Sequence, residues 1–255
     1  MTEDNLVLKA EKISKTFINP AGASLSILEE VSLDVRKGEL ATILGSSSTG
    51  KSTLLRILAG VESPDAGTVR FVQQADSGAN LALIPTEASS LPWLSVRDNV
   101  RLGITESIAE EEAISKINRA INIVGLDGYE SHFPANKSVG FRFRISIARA
   151  LVMDPKVILI DDALRDLRAG RKITYYGLLR EILSREGISI LYVTNDITEA
   201  MLLSDRIFLL GSKPGRIVKE FNIEKTGLPA AADLRKEDNN RIRQEIESIF
   251  YAERR

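Results

Sequence analysis

The sequence has no cysteine among its 255 residues, which excludes a disulfide framework and thiolate metal sites and suits a reducing compartment. No apolar stretch is long enough to span a bilayer, so any membrane role must come through a partner. Neither sign of charge dominates. With 34 Lys and Arg against 35 Asp and Glu, a net charge of -1 and a pI near 6.1, there is no electrostatic footprint for nucleic acid. The opening MTEDNLVLKAEKI is acidic and polar, unlike a signal or transit peptide. Internal repeats, low-complexity tracts and long linkers are also missing. What remains is a chain long enough to bury a sizeable interior, as one large domain or as a core with a smaller insertion.

The most informative stretch is ELATILGSSSTGKSTLLRILAG. Its apolar run Leu40 to Leu44 suits a buried strand, and Leu54, Leu55, Ile57 and Leu58 have the spacing of a helix packed against it. Between them, Gly45, four residues, then Gly50, Lys51 and Ser52 is the P-loop spacing. In that arrangement successive backbone N–H groups and a helix N-terminus face phosphate, the lysine reaches the β- and γ-phosphates, and the serine ligates magnesium. A plain strand-to-helix turn would need neither Lys51 nor Ser52 at those positions. The expected cradle is Gly45, Ser46, Ser47, Ser48, Thr49, Gly50, Lys51, Ser52 and Thr53, with ATP and magnesium as ligands.

From Leu6 to Val35 two alternating runs flank Asn19-Pro20-Ala21-Gly22, as in a twisted antiparallel pair. Phe17 closes the first run; it either stacks on a nucleobase or caps the core. The turn Ser63 to Gly67 precedes TVRFV and LALI, both strand candidates. Helical spacing then takes over. Ile114, Ile117, Ala120, Ile121 and Val124 predict one helix and Arg142 to Met153 a second, which makes residues 91–155 a helical insertion. The strand pattern returns at VILIDDAL, followed by a helix near Arg171 to Arg185 and the strand ISILYVT. Strands separated by helices imply a parallel sheet whose carboxyl ends bind ligands. Asp161 then ends a strand beside the P-loop, where an acid can hold magnesium. Residues 224–255 form a C-terminal extension whose helix carries Ile242, Ile246, Ile249 and Phe250 on one face. Glu110, Glu111 and Glu112 read as a solvated helix start, and the single histidine, His132, as a solvated loop residue.

The order P-loop, LPWLSVRDNV, RISIARALVMDPKVILIDD, ILYVTNDITEAMLLSDRIFLL and KPGRI resembles the nucleotide-binding subunit of ABC transporters, in the branch serving importers of nitrate, sulfonate, taurine and bicarbonate. The resemblance runs from about Leu6 to Ile223 and implies an α/β fold: a RecA-like P-loop NTPase core in residues 1–90 and 156–223, with an N-terminal antiparallel β-subdomain and an inserted helical subdomain. It implies two subunits clamping two ATP molecules between the P-loop of one and the signature segment of the other. The implied partners are a membrane permease, a second ATP-binding subunit in a homodimer or heterodimer, and, indirectly, a periplasmic substrate-binding protein. The implied place is cytoplasmic, peripheral on the inner face of the membrane, with no nucleic-acid partner.

Several positions depart from the family pattern. Asp162 stands for the Glu that polarises the attacking water, which withdraws the carboxylate by roughly 1.5 Å. Asn195 stands for the switch histidine; it can donate a hydrogen bond but cannot carry a proton. In the signature, Ser138 and Gly140 survive while Val139 replaces a glycine, a poor occupant if positive φ or close backbone contact is needed there. Thr86 replaces the glutamine that links magnesium to the permease-facing loop, Arg168 an aspartate of the dimer-facing loop, and Ser48 a P-loop glycine. With Lys51, Ser52 and Asp161 retained, the expectation is ATP and magnesium binding with weakened hydrolysis. The competing reading is a nucleotide-binding regulatory module with little or no ATPase activity. A soluble ATPase for DNA repair or cluster assembly lacks support, since there is no long heptad insertion, basic face or cysteine.

Overall fold

Two alternating runs become β1 (Leu6–Ile18) and β2 (Ser24–Arg36), which pair antiparallel with Leu8 opposite Val35 and Phe17 opposite Leu25. Asn19 makes the turn between them, its Oδ1 accepting the N–H of Ala21 and of Ala23 at 3.0 and 2.8 Å. The computed structural model describes residues 5–72, 81–87, 89–104, 108–135, 137–224 and 237–253. After β3 (Leu40–Leu44) come α1 (Lys51–Leu58), β4 (Ala66–Phe71) and β5 (Leu81–Ile84). Three helices follow: α2 (Val96–Arg101), α3 (Glu110–Ile123) and α4 (Val139–Leu151). The chain then alternates through β6 (Val157–Asp161), α5 (Ala169–Glu186), β7 (Ser189–Thr194) and α6 (Ile197–Leu203). It closes with β8 (Arg206–Leu210), β9 (Ile217–Asn222) and α7 (Glu237–Ala252).

The strands form two sheets, β2-β1-β4 and β5-β6-β7-β3-β8-β9. In the larger one β5, β6, β7, β3 and β8 run parallel, and β9 is an antiparallel edge. Every residue of β3, β7 and β8 is buried, because elements cover both faces of a parallel sheet; this is why these strands are largely apolar without a polar-apolar alternation. One face packs Ile158, Ile160 and Ile190 against Val100, Ile117, Ile145 and Leu179 from α2, α3, α4 and α5. The other packs Ile43, Leu159 and Val193 against Leu54 and Leu58 of α1 and Ile13 and Val31 of the small sheet. A third cluster joins Met201 to Ile246 and Phe250, so α7 docks by the apolar face that the sequence predicts. Among the described residues no helix is long and apolar enough to cross a membrane.

Three details differ from the sequence reading. Helix α4 begins at Val139, not Arg142, because Ser138 caps it, its Oγ accepting the N–H of Phe141 at 3.3 Å. Ile114 is 39% exposed, and Ala113 takes its place on the buried face of α3. Strands β8 and β9 and the short helices α2 and α6 had no assignment.

Arg206, 1% exposed at the start of β8, fastens the small sheet to the large one. Its guanidinium donates to Glu39 Oε1 at 2.8 Å, Asp34 Oδ1 at 2.6 Å and Glu220 Oε1 at 3.2 Å. Asp34 and Glu220 are partly solvated but Glu39 is buried, so Arg206→Ala leaves one buried carboxylate uncompensated and should lower the unfolding free energy by about 3 kcal/mol. The urea midpoint measures it; an unchanged midpoint would mean that the surrounding acids need no counter-charge.

Candidate functional site

Strand β3 delivers the chain to Gly45, whose N–H donates to Thr194 O at 3.3 Å. The loop then turns through two left-handed residues, Ser48 with φ 65° and Gly50 with φ 94°. At Gly50 a side chain would also collide, since a Cβ there would lie 2.8 Å from Leu28 Cδ2. Ser48 occupies its left-handed position without that freedom, at a cost of about 1–2 kcal/mol. The N–H groups of Ser47, Ser48 and Gly50 have no acceptor among the described residues. Lys51 is buried inside the loop, its ammonium donating to Gly45 O at 2.8 Å and Ser46 O at 2.6 Å; burial lowers its pKa, opposed by Asp162 and Asp161. Thr49 Oγ1 closes the loop by donating to Ser46 O at 3.0 Å. Free amides, a helix N-terminus and a buried cation make a donor set that fits phosphate.

Ser52 Oγ donates to Asp161 Oδ1 at 3.1 Å. Strand β7 lies between β6 and β3, so it is α1, crossing the sheet, that sets Ser52 over the end of β6. The pair offers two hard oxygen donors, which fit magnesium completed by phosphate and water. Thr86 lies two residues beyond β5, the strand beside β6, and is half-buried. Asp162 has φ 45°, donates its N–H to Val193 O at 2.9 Å, and has its carboxyl pushed up to about 6 by burial and then by Glu199, against Lys172, Lys51 and Arg165. Asn195 is exposed between β7 and α6. Phe17 is 38% exposed with Lys15 Nζ 5.2 Å from its ring centroid, outside the buried clusters.

Ser138, Val139, Arg168 and Arg171 line a separate groove of about 350 Å³. Val139 lies in the first turn of α4, without the positive φ considered above, so its β-branch brings no backbone penalty. Gly140 packs under α5: a Cβ on it would stand 1.7 Å from Tyr175 Oη. The described hydrogen bonds and ion pairs do not connect this segment to the P-loop.

A family model described as ABC transporter matches residues 28–165, from β2 through the P-loop and signature segment to Asp161 and Asp162. The chain belongs to the ABC transporter family. This ABC transporter chain is 31% identical to the nitrate import ATP-binding protein NrtD of Synechocystis sp. over 96% of its own length and 92% of that protein's. It is 38% identical to the aliphatic sulfonates import ATP-binding protein SsuB 2 of Paraburkholderia xenovorans, over 77% of this chain and 74% of that one. For the taurine import ATP-binding protein TauB of Ruegeria pomeroyi the figures are 32%, 96% and 94%. In fold it resembles cbiO1 of Clostridium perfringens, with a TM-score of 0.76 at 23% identity over 97% of this chain and 98% of that one. It also resembles the dimeric cassette MJ0796 bound to ADP and Pi, with a TM-score of 0.72 at 25% identity over 86% and 99%.

The sequence reading missed a buried centre behind this ABC transporter site. Glu199 of α6 is 1% exposed and accepts from Tyr176 Oη at 3.1 Å, Tyr192 Oη at 3.2 Å and Thr194 Oγ1 at 2.5 Å, with Lys172 Nζ 3.6 Å away. Asp-x-x-Glu at Asp196 and Glu199 was the available signal, since Asp196 Oδ1 caps α6 by accepting the Glu199 N–H at 3.1 Å.

The Asp162 carboxyl titrates above its ordinary 3.8, so holding it ionised costs stability. The cost is absent below about pH 3.8 and complete above about pH 6. Asp162→Asn in metal-free buffer should therefore stabilise the fold at pH 8 by roughly 1 kcal/mol after solvent screening, with the gain shrinking toward pH 4. A pH-independent difference in urea midpoints would trace the effect to the left-handed backbone alone.

Proposed function

We propose that this chain is the ATP-binding subunit of an importer for a nitrate-, sulfonate- or taurine-like anion, binding ATP with magnesium and hydrolysing it slowly or not at all. The carrying observation is the loop in which buried Lys51 donates to the Gly45 and Ser46 carbonyls while Ser52 meets Asp161 at 3.1 Å. Lys51 leaves the Gly45 and Ser46 carbonyls for the β- and γ-phosphates, the amides of the Ser46 to Thr53 cradle take the remaining oxygens, and Phe17 offers its exposed ring to adenine. Magnesium, when bound, neutralises phosphate charge, and Ser52 and Asp161 hold it, with Thr86 at the periphery. Asp162 is the base for the attacking water but sits about one bond, roughly 1.5 Å, short of a glutamate's reach. Asn195 donates to the γ-phosphate without carrying a proton.

The relatives named above are import subunits by name, which supports transport coupling over a free-standing regulatory module. Residues 1–90 with 156–223 serve as the ATP-binding core, 91–155 as the helical subdomain that meets a membrane permease, and 224–255 as a C-terminal extension. Ser138, Val139 and Gly140 face the nucleotide of a second ATP-binding subunit, where Arg168 reverses a charge and disfavours pairing of identical copies. The subunit sits peripherally on the inner membrane face, and a periplasmic binding protein supplies the solute to the permease.

ATP binding and hydrolysis measured side by side on purified protein with magnesium test this reading. Binding that Lys51→Ala weakens at least about tenfold, with turnover far below that of a transport ATPase, is expected. Rapid turnover abolished by Lys51→Ala would overturn the slow-hydrolysis claim, and no binding at all would overturn the whole reading. The double variant Asp162→Glu with Asn195→His should raise turnover by about 10²-fold or more if reach and proton transfer limit it. No gain would shift the limitation to Val139 and the dimer interface.

A further inference from the structure

The buried carboxylate of Glu199 has entered the site so far only as a neighbouring charge of Asp162, yet donors from two elements converge on it. Tyr176 and Lys172 come from α5, Tyr192 and Thr194 from β7, and its own α6 begins one turn before it. Three hydrogen bonds, one of them to this carboxylate, form a ring around Asn195. Thr194 Oγ1 donates to Glu199 Oε2 at 2.5 Å and accepts the N–H of Asp196 at 3.1 Å, while Asp196 Oδ1 accepts the N–H of Glu199 at 3.1 Å. Asn195 is the one residue of this turn between the two ring members Thr194 and Asp196, and it is exposed. Its backbone is thus pinned on both sides by groups whose geometry refers to one buried carboxylate.

We propose that Glu199 is a positioning residue that acts through Thr194 to hold Asn195 toward the terminal phosphate, so that this ring sets the preference for ATP over ADP. The inference rests on the nucleotide site proposed above. Asn195 offers one amide group on a short side chain, so it serves only if the turn presenting it is fixed. A carboxylate that takes three hydroxyls with Lys172 as counter-charge fixes that turn better than a neutral group, because charged acceptors form the stronger bonds. Tyr176 shares the same carboxylate but, among the described hydrogen bonds, makes none to Thr194, Asn195 or Asp196, so it separates hydrogen-bonded support of the turn from support of the core.

The experiment measures ATP and ADP affinities, each with magnesium, on the full chain and on Glu199→Gln, Thr194→Val, Tyr176→Phe and Asn195→Ala. The expected result is a fall of about tenfold in the ATP-to-ADP affinity ratio for Glu199→Gln, Thr194→Val and Asn195→Ala, with ADP affinity unchanged, and no change in the ratio for Tyr176→Phe. Adding Asn195→Ala to Thr194→Val should lower the ratio no further. A ratio unaltered in Thr194→Val, or lowered equally by Tyr176→Phe, overturns the proposal, and Thr194→Val decides the matter should Glu199→Gln fail to fold. A wild-type chain that binds both nucleotides equally also overturns it while leaving the nucleotide site standing. A chain that binds neither removes the site and this inference together.

Discussion

The carboxyl end of β7 is the fixed point on which the site depends. Consecutive carbonyls there accept the N–H of Asp162 and the N–H of Gly45, at 2.9 and 3.3 Å from Val193 O and Thr194 O. Two loops that are far apart in sequence, one carrying the phosphate cradle and one the acid pair, are thereby hung from one strand. That strand can serve because it is buried on every residue and flanked on both sides by parallel neighbours, β6 and β3. A parallel sheet covered on both faces gives its loops a rigid base, and its ligands gather at this end.

Electrostatics follow from that arrangement. Burial works against the charge of Lys51, and the two aspartates at the end of β6 work in its favour. Asp162 experiences the reverse: burial and Glu199 push its carboxyl up, while Lys51 and Lys172 pull it down. The cation and the acids therefore depend on each other for their charged states. Phosphate entering among them changes the balance for both, since it adds negative charge beside Lys51 and beside the acids. The site is organised to welcome an anion on its loop side and to resist one on its acid side, unless a cation bridges the two.

Much of this was legible in the sequence. The P-loop was readable because its chemistry is local: Gly45, Gly50, Lys51 and Ser52 act through backbone geometry set within eight residues. The central strands β3, β6 and β7 declared themselves as unbroken apolar runs, and the faces of α1 and α7 by helical period. The beginning of α4 was misplaced because Val139 and Gly140 are poor helix formers, and the Ser138 cap overrides their propensity. Ile114 was assigned to the core by its spacing, but it falls just off the buried arc that Ala113 occupies. The Glu199 centre was not readable as a centre, since its partners Tyr176 and Tyr192 lie 23 and 7 residues away and only folding joins them.

The contact between Tyr175 and Gly140 bears on how the start of α4 is held. The tyrosine hydroxyl fills the space where any side chain at position 140 would begin, and the ring is held in turn by the edge of Phe143 and by the guanidinium of Arg144. The small residue at 140 thus fits a neighbour on another helix of the same chain. A larger residue at 140 would have to displace that ring. The start of α4 is thereby keyed to the flank of α5 from within the chain, so that the two helices move as one piece or not at all.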